Sequence, residues 1–461
     1  MPSENIAVAI EQLRELLGER LSTGSSILEM HSHDEAHSTP NLPDAVAFPE
    51  NTQEVSQIMQ ICSANRTPVV PYGIGTSLEG HVIPLEGGVS VDTSRMKRVL
   101  TVFESDMNAV VQPGVTRVQL NDELRATGLM FTVDPGADAT MGGMAATRAS
   151  GTNTVRYGTM RENVLALEVV LPDGQIIRTG SRARKSASGY DLTHLMVGSE
   201  GTLGIITELT VRLVGQPDTI SAATCAFDSV KEAVDSVIMA IQMGIPMARI
   251  ELLDQVQMKG MNIYNPDMQM PEKPHLFLEF HGTEAGVAEQ VEMFKSASEE
   301  FGASDFNWAT RTEDRNRLWK ARHNAYYAGK ALRPGAEGLV TDCCVPISAL
   351  AACIERTNEY VAQSGLLAPL VGHVGDGNFH LLILVDTASE DEMQRATTLA
   401  GQVSHLALEF GGTVTGEHGI GSGKRKYMQD EHGAAYALMG MIKSSIDPLN
   451  IMNPGKVVTV E

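Results

Sequence analysis

Val69-Val-Pro-Tyr-Gly-Ile-Gly-Thr-Ser-Leu-Glu-Gly80 is the stretch on which the reading of this chain turns. The two valines predict a short buried strand. Gly73 and Gly75 let successive backbone N–H groups face inward, and such a nest can hold a pyrophosphate. The loop is no Rossmann fingerprint, because Leu78 occupies the third glycine position and no helix pattern follows. It is no P-loop either, since no Lys-Ser/Thr follows the second glycine. By itself it reads equally as a tight turn or a phosphate site. A second glycine-rich region runs from Val133 to Asn153, with Gly142, Gly143 and Gly151, and on to Arg156-Tyr-Gly158. A third is Gly198-Ser-Glu-Gly201-Thr-Leu-Gly204. Three such loops in one half of the chain, each beside a strand signal, favour one large dinucleotide over three unrelated turns.

Outward from these loops the periodicities place the elements. Ile6, Ile10, Leu13, Leu17 and Leu21 recur at helical spacing after a cap at Ser3. His31, His33 and His37 lie on polar, Ser-containing sequence and read as a solvated linker rather than a metal site. Asn51 or Thr52 caps a helix with Val55, Ile58, Met59 and Cys62 on one face. Further strands are expected at 89–92 and 109–111, with a hairpin about Asp173-Gly174. Leu209, Val211 and Leu213 alternate with polar residues, as in a half-buried strand. Gln216-Pro-Asp218 makes a domain boundary. Beyond it, helices at 230–241, 347–361 and 393–410 alternate with strands at 276–280 and 379–385, which predicts an α+β domain. The division expected is 1–40 as N-terminal helix and linker, 41–216 as nucleotide domain, 217–410 as substrate or cap domain, and 411–461 as a C-terminal segment completing the site.

The 461 residues include 43 glycines, 20 prolines and 43% hydrophobic residues, as in a globular protein with many special turns. A formal charge of −22 argues against nucleic acid and against docking on an anionic bilayer. A few local cations can still receive an anionic substrate. Cys62, Cys225, Cys343, Cys344 and Cys353 lack CxxC spacing and read as reduced thiols, the adjacent pair as buried small hydrophobes. Residues 1–21 show neither a secretory signal nor an acid-poor transit pattern, and no apolar run reaches membrane-span length, so a cytoplasmic protein, at most peripheral to a membrane, is expected.

Three C-terminal stretches carry the chemistry: His373-Val-Gly-Asp-Gly-Asn-Phe-His380, Gly416-Glu-His-Gly419 and Asp447-Pro-Leu-Asn-Ile-Met-Asn-Pro-Gly455. An odd spacing would send His373 and His380 to opposite faces of one straight strand. The Gly375-Asp-Gly377 turn instead allows both onto one centre. With Glu417 they offer two imidazoles and a carboxylate, which leave open positions on a divalent ion. One imidazole is then left free for proton transfer. Asp376 and Asn378 read as turn formers, Asn378 also as support for the ligands. Trp319, Tyr326 and Tyr327 read equally as pocket wall or core.

These motifs resemble a known family. Asp-Pro-Gly-Ala-Asp (134–138), Ala-Ser-Gly-Thr-Asn (149–153), Gly-Ser-Glu-Gly-Thr-Leu-Gly (198–204), Ala-Arg-Ile-Glu (248–251), Ala-Arg-His-Asn-Ala (321–325) and the histidine and glutamate turns occur in matching order. Residues 41 to about 215 resemble the flavin domain of the vanillyl-alcohol-oxidase and p-cresol-methylhydroxylase superfamily, and the remainder its cap domain in the FAD-linked D-2-hydroxyacid dehydrogenase branch. The resemblance implies a two-subdomain FAD domain, an α+β cap with an antiparallel sheet, and a C-terminal helical segment returning to the flavin. Tyr72, Gly73, Ile74, Gly75, Thr76 and Ser77 would cradle the pyrophosphate. Pro135, Gly136, Ala137, Gly142, Gly143, Ser150, Gly151, Thr152 and Asn153 would line the flavin. Glu200, Gly201, Thr202, Ile205 and Ile206 would hold the adenosine end, and Asn453 would also contact the cofactor. Arg148 stands where a small residue is expected and His81 where glycine is, which leaves covalent attachment through His81 open.

By the same resemblance, His373, His380 and Glu417 would bind zinc or manganese, His418 would be the base, and Arg322 would clamp the substrate carboxylate. Val340 and Leu382 stand where hydroxyglutarate-using relatives carry Lys and Asn. This implies oxidation of D-lactate or another short D-2-hydroxy acid, with a quinone, cytochrome or electron-transfer flavoprotein as acceptor and a homodimer as assembly. The rivals are the flavin subunit of a glycolate oxidase, a D-2-hydroxyglutarate-type dehydrogenase, a flavin-free metallohydrolase and a non-catalytic flavoprotein.

Overall fold

The computed structural model describes residues 4–309 and 311–460, so the expected cap at Ser3 lies outside the described residues. The chain forms two units, one of residues 1–150, 158–216 and 417–461, the other of 151–157 and 217–416. The chain passes from the first unit to the second between Gln216 and Pro217. Residues 1–40 do not stand apart: Ile6, Ile10, Leu13, Leu17 and Leu21 join the core of the first unit. Residues 411–416 stay with the second unit.

In the first unit, helix Glu4–Leu17 buries Ile6, Ile10, Leu13 and Leu17. Leu21 is not on it. After Gly18, at φ +58°, the chain turns into strand Leu21–Ser22, which pairs with Ala45–Ala47. Asn51 caps helix Thr52–Ala64, its side chain accepting from the Glu54 N–H at 3.0 Å. That helix is the crossover a parallel pairing needs: Val69–Tyr72 and Ala45–Ala47 both run parallel to Val89–Asp92. His33 and His37 are exposed, but His31 does not lie on a solvated linker. His31 is buried, its Nε2 3.0 Å from Asp92 Oδ2 and its Nδ1 donating to the Ile27 carbonyl at 2.8 Å.

The second sheet of this unit is antiparallel, in the order Val99–Phe103, Asn108–Val111, Ile205–Arg212, Val164–Val170, Ile176–Arg178. Gly174, at φ +86°, closes the last hairpin. Ile205–Arg212 is buried on both faces, not one. Leu209 and Val211 face the core of their own sheet, while Ile205 packs with Val69 and Val89 of the parallel sheet. A central strand sandwiched this way loses the polar-out alternation.

The second unit is an antiparallel sheet ordered Ser304–Ala309, Thr219–Ala226, His275–Gly282, Met247–Leu253, Leu370–His373, Asn378–Val385, Glu337–Val340, with Cys343–Cys344 also pairing with Asn378–Val385. The period of 2 separates its faces. Ile250, Leu252, Leu278, Phe280, Leu370, Phe379, Leu381 and Ile383 point to one side, under helices Val230–Gln242, Glu284–Glu299, Ile347–Ser364 and Glu390–Glu409. Burying each such aliphatic chain contributes about 1.5–3 kcal/mol. Arg249, Glu251, Glu279, His281, His373 and His380 occupy the opposite parity, with helices Gln255–Tyr264, Thr312–His323 and Ala325–Lys330 on that side. Cys343 is buried as expected, whereas Cys344 is only partly so. Among the described residues no helix is long and apolar enough to cross a membrane.

Candidate functional site

The three glycine loops meet in the first unit. A Cβ on Gly73 would lie 2.6 Å from Thr140 Oγ1, and one on Gly201 would lie 2.9 Å from the Pro71 ring. The Gly198 and Glu200 N–H groups donate to the Ala145 and Ala146 carbonyls at 2.9 and 2.8 Å. These close approaches tolerate only glycine or a backbone donor, so the glycine spacing is a consequence of three loops sharing one place. Asp34 fastens the first loop: its Oδ2 accepts from Ser77 Oγ at 3.0 Å and from the His81 N–H at 2.9 Å. Tyr72 donates through its hydroxyl to the Met30 carbonyl, and burial together with Asp92 pushes its phenol up to about 12. Ile74 and Gly136 are exposed, and Gly73, Gly75, Thr76, Ser77, Pro135 and Ala137 are partly so. A surface of glycines and turned amides left this open fits a phosphate-bearing planar cofactor.

Several expected cofactor residues have side chains engaged elsewhere. Gly142 is pressed on Pro113, where a Cβ would come within 2.5 Å, while the Gly143 N–H donates to Thr140 Oγ1. Ser150 ends the first stretch of the first unit, and Gly151, Thr152 and Asn153 lie with the second, where Asn153 Oδ1 accepts from Arg249 Nε at 3.0 Å. Ile205 and Ile206 are core residues. The Thr202 carbonyl accepts from Lys443 Nζ at 2.8 Å. Asn453 Nδ2 donates to the His81 and Glu200 carbonyls at 3.0 and 2.8 Å, so its amide ties two loops together. Arg148, at φ +54°, lies against Gly198 and donates to the Val197 carbonyl. The Glu200 carboxylate accepts from the Ile420 and Gly421 N–H groups and faces His81. In the same unit Glu79 Oε1 lies 3.9 Å from His418 Nδ1 and 3.2 Å from Lys424 Nζ.

On the polar face of the second unit, His373 and His380 are diagonal neighbours. Val371 pairs with His380 and His373 with Asn378, so both imidazoles project to one side with ring centroids 5.5 Å apart. Each ring is oriented through Nδ1: His373 on Glu251 Oε1 at 2.7 Å, His380 on the Thr341 carbonyl at 3.0 Å. Metal-ligating histidines are held in this manner by a carboxylate or carbonyl, leaving Nε2 to ligate. Asn378 is more than a turn former. Its Nδ2 donates to Asp342 Oδ1 and the Cys343 carbonyl, and Asp342 Oδ2 accepts from Thr415 Oγ1 and the Gly416 N–H. Glu417 and His418 follow Gly416 directly in the chain.

Glu251, given no role from sequence, is the hub of this face. Its second oxygen accepts from Arg322 Nη2, and all three residues are buried or nearly so. Burial would push its carboxyl up, but the charges of His373 and Arg322 outweigh that and hold it below the usual carboxylate range. The available signal was a glutamate at an outward parity of an apolar strand, Met247–Leu253. Arg322 Nε is buried and donates to nothing among the described residues. Trp319 is core, beneath Arg249 at 4.6 Å, while Tyr326 and Tyr327 are exposed. Val340 and Leu382 are register partners, and Leu382 packs with Ala336 and Leu384.

Three converging glycine loops in one unit and an antiparallel sheet with a polar face in the other accord with a flavoprotein oxidoreductase. The sequence matches the FAD binding domain over residues 43–180 and the C-terminal domain of FAD linked oxidases over residues 216–457, and the chain belongs to this FAD-linked oxidase family. FAD is its cofactor. The chain is 50% identical over 454 residues to a protein named probable D-lactate dehydrogenase, mitochondrial, from Danio rerio, covering 97% of this chain and 91% of that one. It is 45% identical to the mitochondrial D-lactate dehydrogenase (cytochrome) of Arabidopsis thaliana, covering 97% and 80%. In fold it resembles p-cresol methylhydroxylase with substrate bound, at a TM-score of 0.82 and 17% identity, covering 100% of this chain and 98% of that one.

Proposed function

We propose that the protein oxidises D-lactate, or a D-2-hydroxy acid of similar size, to the 2-oxo acid. The observation that carries this reading is the pair His373 and His380, turned to one side of the cap sheet and each held through Nδ1. Together with Glu417, as the family resemblance implies, they would make the two-imidazole, one-carboxylate ligand set suited to zinc or manganese. A bound ion would acidify the substrate hydroxyl, and bound FAD would supply the acceptor for the hydride on the hydroxyl-bearing carbon. His418 takes the hydroxyl proton at Nε2, its Nδ1 side facing Glu79. Arg322 receives the substrate carboxylate; its Nε is a buried donor without an acceptor among the described residues. Val340 and Leu382 give an apolar wall suited to a methyl group rather than a second carboxylate. The names of the fish and plant relatives agree on the substrate, and that of the plant protein favours a cytochrome as acceptor over a quinone or an electron-transfer flavoprotein. A cytoplasmic or membrane-peripheral location and a homodimer remain part of the proposal; fractionation and sedimentation test them.

The decisive test is anaerobic. The purified flavoprotein is mixed in turn with D-lactate, L-lactate, glycolate and D-2-hydroxyglutarate. Rapid bleaching of the flavin by D-lactate, lost on chelation and in His373→Ala, is the expected result. Bleaching chiefly by glycolate or hydroxyglutarate replaces the substrate, and a flavin that none of them reduces removes the proposal.

A further inference from the structure

Glu200 has a left-handed backbone, φ +53°, a conformation that glycine adopts at lower cost. The carboxylate is buried and reaches the turn after His418: Oε1 accepts from the Ile420 N–H and Oε2 from the Gly421 N–H, both at 2.7 Å. Gly419, at φ +82°, fits against the pair Glu200 and His81; a Cβ there would stand 2.7 Å from Glu200 Oε1 and 2.6 Å from His81 Nε2. The Glu79 carbonyl accepts from the Ser422 and Gly423 N–H groups at 2.9 and 3.0 Å, holding the far side of the turn. His81 is buried, and its Nε2 lies 3.3 Å from Glu200 Oε2. Burial pushes the imidazole down, but Glu200, Asp34 and Glu79 together outweigh it and raise the ring above its ordinary value.

We propose that Glu200 is a positioning residue, whose carboxylate clamps the Gly419–Gly421 turn and so fixes His418, with His81 as its counter-ion. Glu200 thus serves the proton-transfer end of the site rather than the adenosine end. The proposal rests on the assignment of His418 as base, so the test has an arm that needs no substrate. Glu200→Gln keeps the shape but sets an amide NH2 against one of the two N–H donors. Hydrogen exchange of the flavoprotein is followed at Ile420 and Gly421, beside kcat, KM and flavin content.

The expected result is exchange faster by about tenfold, kcat lower by about tenfold or more, and KM and bound FAD unchanged. Unaltered exchange overturns the clamp. Faster exchange with full kcat overturns its positioning role, and loss of FAD returns Glu200 to the cofactor. Should Glu200→Gln fail to fold, His81→Asn decides by the same readouts, because an uncompensated Glu200 is expected to loosen the same two amides. If the wild type turns over none of the acids, the proposed function fails while the exchange arm still decides the clamp.

Discussion

The glycine loops of the first unit and the polar sheet face of the second solve opposite problems. Around Gly73, Gly75 and Gly201 backbone and neighbouring side chains approach closely, and the sequence contributes mainly by leaving side chains out. On the strands bearing Glu251, His373 and His380 the backbone is ordinary β-sheet, and the sequence contributes charged groups buried in one connected set. The first region is vulnerable to volume, the second to an unbalanced charge. That difference sets the kind and the size of effect each should show on mutation.

The largest effect belongs to the sheet face. Glu251→Ala leaves Arg322 and His373 without their shared carboxylate in a buried setting. Stability should fall by about 3–5 kcal/mol, read by chemical denaturation, and turnover should be lost. Glu251→Leu combined with Arg322→Met should recover most of the stability and none of the activity, since an apolar pair of similar volume replaces the ion pair. If the double variant is as unstable as the single one, the face is not governed by charge balance and the contrast collapses.

Next in size is a change of volume. Gly75, at φ +70°, would set a Cβ against the Tyr72 hydroxyl. Gly75→Val should weaken FAD affinity by about 100-fold, measured by reconstitution of the apoprotein, with only a small change in the stability of that apoprotein. A variant that binds FAD normally would show that the first loop is a turn and no cradle.

The same contrast explains what the sequence disclosed. Glycine loops announce themselves as local spacing, because the constraint on each residue comes from its own backbone, and their convergence could be inferred from their number. The hairpin placing His373 beside His380 was equally legible, since Gly375 and Gly377 stand between them. Glu251 was not, because its partners are 122 residues away at His373 and 71 away at Arg322. His31 failed for a related reason: a polar neighbourhood suggested solvent, while the ring's partner, Asp92, lies 61 residues further along. Glu200 sat within a recognised motif, yet the motif gave no hint that its carboxylate reaches 220 residues onward to Ile420.

The smallest effect expected joins the two modes, because it concerns a charge within the backbone-built region. Lys456 Nζ donates to the Ile83 carbonyl at 2.6 Å, to Asn453 Oδ1 at 3.2 Å and to the His81 carbonyl at 3.3 Å. Burial lowers its ammonium from 10.5 to about 8, against the opposing pull of Asp34 and Glu200. Below pH 8 both folded and unfolded chains hold this proton, and the folded state carries a constant cost. Between about 8 and 10.5 the folded chain releases it while the unfolded chain retains it, so stability from this group rises with pH. Above 10.5 the contribution is level. Lys456→Met removes the titration, and its constant loss of hydrogen bonds does not depend on pH. The stability of the wild type relative to that variant should therefore climb by about 1–2 kcal/mol between pH 7.5 and 10.5, measured by urea denaturation at each pH. A flat difference would mean that the three acceptors already hold Lys456 as an ordinary ammonium, and that the backbone carbonyls of this region neutralise a buried charge as fully as Glu251 does on the sheet face.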